Sequence, residues 1–241
     1  MRYHISCTAC ANFANAPGGF CRHDIFGSSL TFTAPLTPGI YWAPSAEALG
    51  AGIQPTFHIT GCPDEIMSMI GEMAAIAAAL RTAAINVHTP AQSLEARLRA
   101  WNPSHELPPA AGDQAEWEQG WSIYQHAALL YLYTIVLRLP NSEPVVEKTG
   151  EELLRRLKVV AAGNGEVEKS LLWCYFLTGT VLEEAGEQTW IQGRMACMAE
   201  LTSIQAWASA GRTLMGMWEA RIGLWETVLQ AEKRGVAFLY L

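Results

Sequence analysis

From residue 61 onward, apolar residues recur at three-to-four spacing along most of the chain, and that period predicts one helix after another. Ile66, Met69, Ile70, Met73, Ile76, Ala77 and Leu80 form a single stripe, the face that an amphipathic helix turns to a core. Pro63 ahead of Asp64 and Glu65 marks its start, because proline suits the first turn and carboxylates suit the positive end of the helix dipole. A shorter helix is predicted from residue 89 or 90 to 101, with Leu94, Leu98 and Trp101 on one face and Asn102-Pro103 as its stop. A linker over 102–113 carries Pro103, Pro108, Pro109 and Gly112. The long helix predicted next, over 114–138, begins with the stripe Trp117, Trp121, Tyr124 and Ala128. Its second half adds Leu129, Leu130, Tyr131, Tyr133 and Val136 and is apolar nearly all round, which makes it central. Further helices are predicted over 144–161, 167–185, 187–206 and 209–233, separated by the turn Gly163-Asn164-Gly165, by Gly186 and by the region of Ser209 to Gly211.

Residues 1–60 differ. They are poor in charge and rich in Gly, Pro, Ser and Thr, with turn signals at Pro17-Gly18-Gly19 and Pro38-Gly39. The short strand-like segments 30–33 and 40–42 have no patterned partner. The expectation is an irregular arm over 1–60, packed along the body through Phe26, Phe32, Tyr41 and Trp42 if at all, followed by a helical domain over 61–241. The fold class is all-α, a bundle-like array of roughly six to eight helices.

Charge and cysteine content narrow the function. With 16 basic against 23 acidic residues the net charge is −7, the wrong sign for holding phosphates by counterion release. The longest apolar run, 127–137, is well short of the roughly 20 residues of a membrane span. The first twenty residues lack the apolar stretch of a secretory signal, so a nuclear or cytoplasmic protein without a disulfide framework is expected. Cys174 and Cys197, in helical apolar contexts, read as inert core thiols. Cys7, Cys10, Cys21 and His23 supply four zinc-type ligands, but their spacing matches no familiar finger and they lack the basic residues that flank a DNA-reading module. Free thiols are the expectation there, with no metal and no cofactor.

Certain segments carry a resemblance. Residues 124–133, Tyr-Gln-His-Ala-Ala-Leu-Leu-Tyr-Leu-Tyr, followed by Leu139-Pro140, are similar to a helix of the fungal-specific transcription factor domain, the regulatory region of zinc binuclear cluster proteins. Residues 171–179, Leu-Leu-Trp-Cys-Tyr-Phe-Leu-Thr-Gly, resemble that family's signature of apolar residues, Trp, Pro and a small residue with Gly, with Cys174 at the proline. Glu187-Gln188 before Trp190-Ile191 stands where the family carries Glu-Arg, and residues 214–221, with Trp218, resemble its closing helix. Thr60-Gly61, the helix from Asp64 and the segment from Leu94 to Trp101 are similar to its opening. The six closely spaced cysteines of the family's DNA-binding cluster are missing.

The resemblance implies a transcription-regulatory module working through a protein partner, either a zinc-cluster factor or a second copy of itself, or through an apolar small-molecule effector. It further implies the setting of a secondary-metabolite gene cluster, with no direct DNA binding and no membrane. An effector pocket between helices would be lined by aromatics, and the candidate wall is Trp117, Trp121, Tyr124, His126, Tyr131, Trp173 and Tyr175, set against the alternative that these residues only pack. His126 is the candidate general base if the scaffold instead catalyses a cofactor-free cyclisation or isomerisation of a fungal secondary metabolite. A truncated product without its own role is the third reading. Arg155, Arg156 and Lys158 form the one compact basic patch and read as a solvated face, and Glu183, Glu184 and Glu187 as a charged helix end rather than a magnesium site.

Overall fold

The computed structural model describes residues 17–36, 61–102, 114–161 and 165–234. Among them the chain is all-α, without a strand. Ten helices follow in order: α1 (Pro17–Thr31), α2 (Asp64–Thr82), α3 (His88–Ala100), α4 (Gln114–Tyr131), α5 (Pro144–Val159), α6 (Glu166–Ser170), α7 (Leu172–Gly179), α8 (Ala185–Thr202), α9 (Gln205–Ala220) and α10 (Leu224–Lys233). A π-turn over Leu132–Val136 continues α4. The count exceeds six to eight because the predicted 167–185 and 209–233 stretches each break, the first at Leu171 and the second at Arg221 to Gly223, and because α1 lies within residues 1–60.

Helix α4 is the axis, as its apolar second half requires. It buries Trp117, Trp121, Ile123, Tyr124 and every residue from Ala127 to Tyr131. Helices α2, α3, α5, α6 and α7 pack on it, α1 lies along α2, and α8 and α9 pair with each other over α7.

The segment read as an irregular arm thus contains a helix. Pro17-Gly18-Gly19, read as a turn, opens it, because proline fits a helix's first turn as well as it fits a loop. Leu30 lies in the last turn of that helix rather than starting a strand, and Ile25, Phe26, Leu30 and Phe32 are core residues. Phe26 stacks between Tyr124, with ring centroids 5.9 Å apart, and Trp173, at 5.2 Å. Ser29, fully buried beside them, donates its hydroxyl to the Phe26 carbonyl at 2.8 Å and accepts the Trp173 indole N–H at 2.9 Å. Its carbonyl takes the Tyr131 hydroxyl at 2.8 Å. One serine therefore ties α1 to α4 and α7 and satisfies two aromatic donors that have no water to turn to. Tyr41, Trp42, Pro38-Gly39, Cys7 and Cys10 lie outside the described residues, as do the side chains of Cys21 and His23 and most of the 102–113 linker. Cys62 and Cys174 are buried, whereas Cys197 is exposed and is not the core thiol its apolar context suggested. It stands on a helix that buries only Ile191, Met195 and Met198.

How the helices end is a shared device. None of the described N-caps makes a side-chain cap bond, yet the last carbonyls, which have no partner within a helix, are taken up from elsewhere. Arg81 Nη1 on α2 donates to the Thr31 and Phe32 carbonyls at the end of α1, 3.2 Å each. Gln125 on α4 donates to Leu98 and Trp101 at the end of α3, at 2.6 and 3.0 Å. Arg194 on α8 reaches Val160 after α5 at 3.1 Å, and Trp218 on α9 reaches Gly179, the last residue of α7, at 2.9 Å. Two chain reversals use left-handed residues that are not glycine. Phe32 (φ 52°) allows Thr33 to bond the Ser28 carbonyl, and Arg221 (φ 52°) allows Ile222 to bond Met217, the Schellman pattern without its usual glycine.

Removing the Ser29 hydroxyl leaves the Trp173 N–H buried without its acceptor. Ser29→Ala is therefore expected to lower unfolding stability by about 1–3 kcal/mol in urea titrations, and a loss under a few tenths would show that the knot does not hold α1. Arg221 is exposed and left-handed, so Arg221→Gly relieves backbone strain. A gain of about 0.5–1 kcal/mol, read as a higher Tm, is expected, reduced by the extra freedom glycine has in the unfolded chain.

Candidate functional site

The seven wall candidates fall into separate contacts: Trp117 with Trp121, Tyr124 with Trp173 through Phe26 and Trp173 with Tyr131, Tyr175 with Trp190 and Trp207, and His126 apart from these rings. Trp117 and Trp121 lie 6.2 Å apart on α4, Tyr131 lies 6.0 Å from Trp173, and Tyr175 packs on Trp190 at 6.2 Å and edge-on to Trp207 at 5.6 Å. Their polar tips are turned to protein acceptors: Tyr124 donates to the Ser170 carbonyl, Tyr131 to Ser29 and Tyr175 to Glu168. Burial pushes the Tyr131 and Tyr175 hydroxyls well above the ordinary phenol range. His126 sits half-buried on the same helix. Its Nδ1 donates to the Ser122 carbonyl one turn back at 2.7 Å, and burial lowers its pKa, so the ring is held neutral. The basic patch is occupied by acids of the chain itself. Arg155 and Arg156 both meet Glu152 at 2.7 Å, Lys158 lies 3.8 Å from Glu187, and the two arginines hold the Glu152 carboxyl at about 2.

A buried charge that the sequence reading passed over lies where α6, α7 and α8 meet. Glu168 is 1% exposed, and its Oε1 meets Arg194 Nη2 at 2.5 Å and the Tyr175 hydroxyl at 3.2 Å. The Arg194 guanidinium also lies over Trp190, 5.8 Å from the ring centre. Glu168 was hidden because it stands in a charged helix start, Glu-Val-Glu-Lys, that reads as solvated. The set fixes the junction of the three helices.

An open cleft lies elsewhere. About 760 Å³ is enclosed between the end of α2, the π-turn and its exit, and the start of α10. None of the seven aromatic candidates lines it. Its centre is Trp225, gripped on one side by Phe32 at 4.1 Å between ring centroids and on the other by the Arg138 guanidinium at 4.1 Å. The indole N–H donates to the Ile135 carbonyl at 3.2 Å, freed where the helix widens. Arg138 is itself left-handed (φ 53°), placed by the π-turn, where Leu137 bonds Leu132 and Leu139 bonds Tyr133 at 2.9 Å each. Tyr133 anchors that turn to α3 through Glu95 at 2.6 Å and Arg99 at 2.7 Å, and burial together with the Glu95 carboxylate pushes its hydroxyl up to about 12. The sequence reading placed Arg138 only as the last residue of a predicted helix and did not single out Trp225 within the predicted 209–233 stretch. The one available signal was Leu139-Pro140-Asn141-Ser142 directly after an apolar run.

The segments that carry the family resemblance explain one another. A Cβ on Gly179 would fall 2.4 Å from Leu214 Cδ1, so α7 and α9 touch through that glycine, and Trp218 of the closing segment bonds its carbonyl. Gly61 has φ 70°, and a Cβ there would meet Ser170 Cβ at 2.5 Å. Cys174 falls in the first turn of α7, where a proline is tolerated because no N–H is required. Gln188, in place of arginine, bonds the Leu182 carbonyl at 2.8 Å.

For the Glu168–Arg194 pair, breaking one side strands a buried charge. Arg194→Met is expected to cost about 3–5 kcal/mol in urea unfolding, and Arg194→Met combined with Glu168→Leu to recover most of it. A single-variant loss below about 1 kcal/mol would mean that solvent already screens the pair.

Among the described residues no group of three or more His, Cys, Asp or Glu side chains is placed to hold a metal ion, and no helix is long and apolar enough to cross a membrane. No curated protein and no solved structure matches the chain. The fungal specific transcription factor domain matches it over residues 19–238, which takes in most of α1 and reaches past α10. With the helical body, the Gly179–Leu214–Trp218 contact and this match in hand, the chain belongs to the fungal-specific transcription factor domain family, whose role is transcription regulation.

Proposed function

We propose that the chain is a regulatory module that controls a secondary-metabolite gene cluster through a protein partner or an apolar effector, without contacting DNA itself. The family match across nearly the whole chain is the observation that carries this reading. Two features of the surface support the indirect mode. The net charge is −7, and the compact basic patch is neutralised by Glu152 and Glu187, so little positive potential is left to track a phosphate backbone. The family motifs are consumed by packing contacts, so a partner or effector has to be met at other surfaces. The fitting partner is a zinc binuclear cluster factor that supplies the DNA contact, in the nucleus or before entry into it.

The test is a reporter under a promoter that a zinc-cluster factor recognises, read with and without the chain and joined to co-purification of that factor from the fungal host. A change in reporter output together with stoichiometric recovery of the factor is expected. An unchanged reporter, with the chain recovered alone, would remove the regulatory reading.

A further inference from the structure

The cleft at Trp225 has the size and mixture of surfaces of a small-molecule site. Its floor is apolar, made by Leu80, Ile135 and Leu139 on the body and Leu224 and Leu229 on α10, with Thr134, Asn141 and Ser142 as polar points. The charge at its centre is open to a ligand. A guanidinium has five N–H donors, and the acceptor that Arg138 meets among the described residues is the Leu80 carbonyl, at 3.4 Å. Its guanidinium already sits over the Trp225 ring, 4.1 Å from the centre, which holds the charge at the cleft. Arg81, the other cation on the cleft, differs: it is engaged by Glu232 at 2.5 Å and by the end of α1. The left-handed backbone that presents Arg138 is strained for any residue with a side chain, and strain of this kind gathers at ligand sites.

We infer that this cleft binds an apolar small molecule carrying a single carboxylate, its two oxygens taken by the Arg138 fork and its apolar body laid between α10 and the π-turn. A planar carboxylate matches the guanidinium fork in two parallel hydrogen bonds. Glu183 and Glu226 also border the cleft. They repel a second negative charge, so phosphates and nucleotides are disfavoured and the class is a monoanion. One wall is separable from the rest. Helix α10 buries only Leu224 and Val228 and is joined to α9 through the left-handed Arg221 and Gly223. A ligand bridging Arg138 and the α10 side chains therefore holds this helix against the body. As an effector site, though not as a binding site, the inference rests on the regulatory reading above.

Titration calorimetry on the full chain tests it, with naphthoate as the probe and naphthyl methanol and naphthyl phosphate as its neutral and dianionic counterparts. Naphthoate is expected to bind at one molecule per chain, about tenfold or more tighter than either counterpart. Arg138→Gly, whose backbone accepts φ 53° without strain, is expected to bring naphthoate down to the level of the alcohol, Arg138→Lys to keep part of the difference, and Arg155→Gln to change nothing. The pair Glu183→Gln with Glu226→Gln is expected to raise affinity for naphthyl phosphate, and this arm stands even if the Arg138 variants fold poorly. No saturable naphthoate binding up to millimolar concentration, equal binding of acid and alcohol, or phosphate binding tightest in the unaltered chain would each overturn the proposal. Loss of naphthoate binding leaves the reporter result intact, and a silent reporter with intact binding counts against the regulatory reading alone.

Discussion

Helix ends in this protein are closed by other helices. A terminal carbonyl turned into a packed junction without a donor costs about as much as a lost buried hydrogen bond, and here the donors Arg81, Gln125, Arg194 and Trp218 each come from an element distant in sequence. Each helix end is therefore satisfied only when its neighbour is correctly placed. Capping and tertiary packing become one event, which couples short helices such as α6 and α7, too brief to persist alone, to the assembly of the whole. The buried Ser29 does the same inside the core: its hydroxyl and carbonyl are useful only when α1, α4 and α7 are all in position.

That dependence explains what could be read beforehand. Helices α2, α3, α4 and α5 follow from period, proline starts and carboxylates at the first turn, all local properties, and they lie within a few residues of their predicted bounds. Helix α1 was not read because Ser28 and Ser29 interrupt its apolar stripe and Pro-Gly-Gly opens it, and only the partners on α4 and α7 make those serines core residues. The break at Arg221 was missed for a related reason. A left-handed turn is announced by glycine, and Arg138, Ser203 and Arg221 adopt it without one.

Aromatic content alone does not separate a ligand wall from a packed core. A ring with a hydroxyl or indole N–H suits a ligand wall and a packed interior equally, and sequence carries no measure of whether the polar tip faces a cavity or a carbonyl. In the cases of Tyr124, Tyr131, Trp173 and Tyr175 it faces protein. The cleft instead gathers residues from four separated stretches around a tryptophan that the sequence reading did not single out. The family signature, by contrast, was readable as order and spacing because Gly179, Leu214 and Trp218 constrain one another through a contact that tolerates no added atom.

The π-turn over Leu132–Val136 is geometrically an α-helix with one residue inserted. Losing a single codon there would restore the regular α-helical hydrogen-bond ladder and take up the Ile135 carbonyl that now receives the Trp225 indole N–H. Arg138 would leave the face of Trp225, while the buried body of α4 before Tyr131 would keep its register. A three-nucleotide deletion could thus erase the cleft from a relative and spare its core, so the presence or absence of that one inserted residue offers a genealogical marker for sorting chains of this fold by whether they kept the cavity.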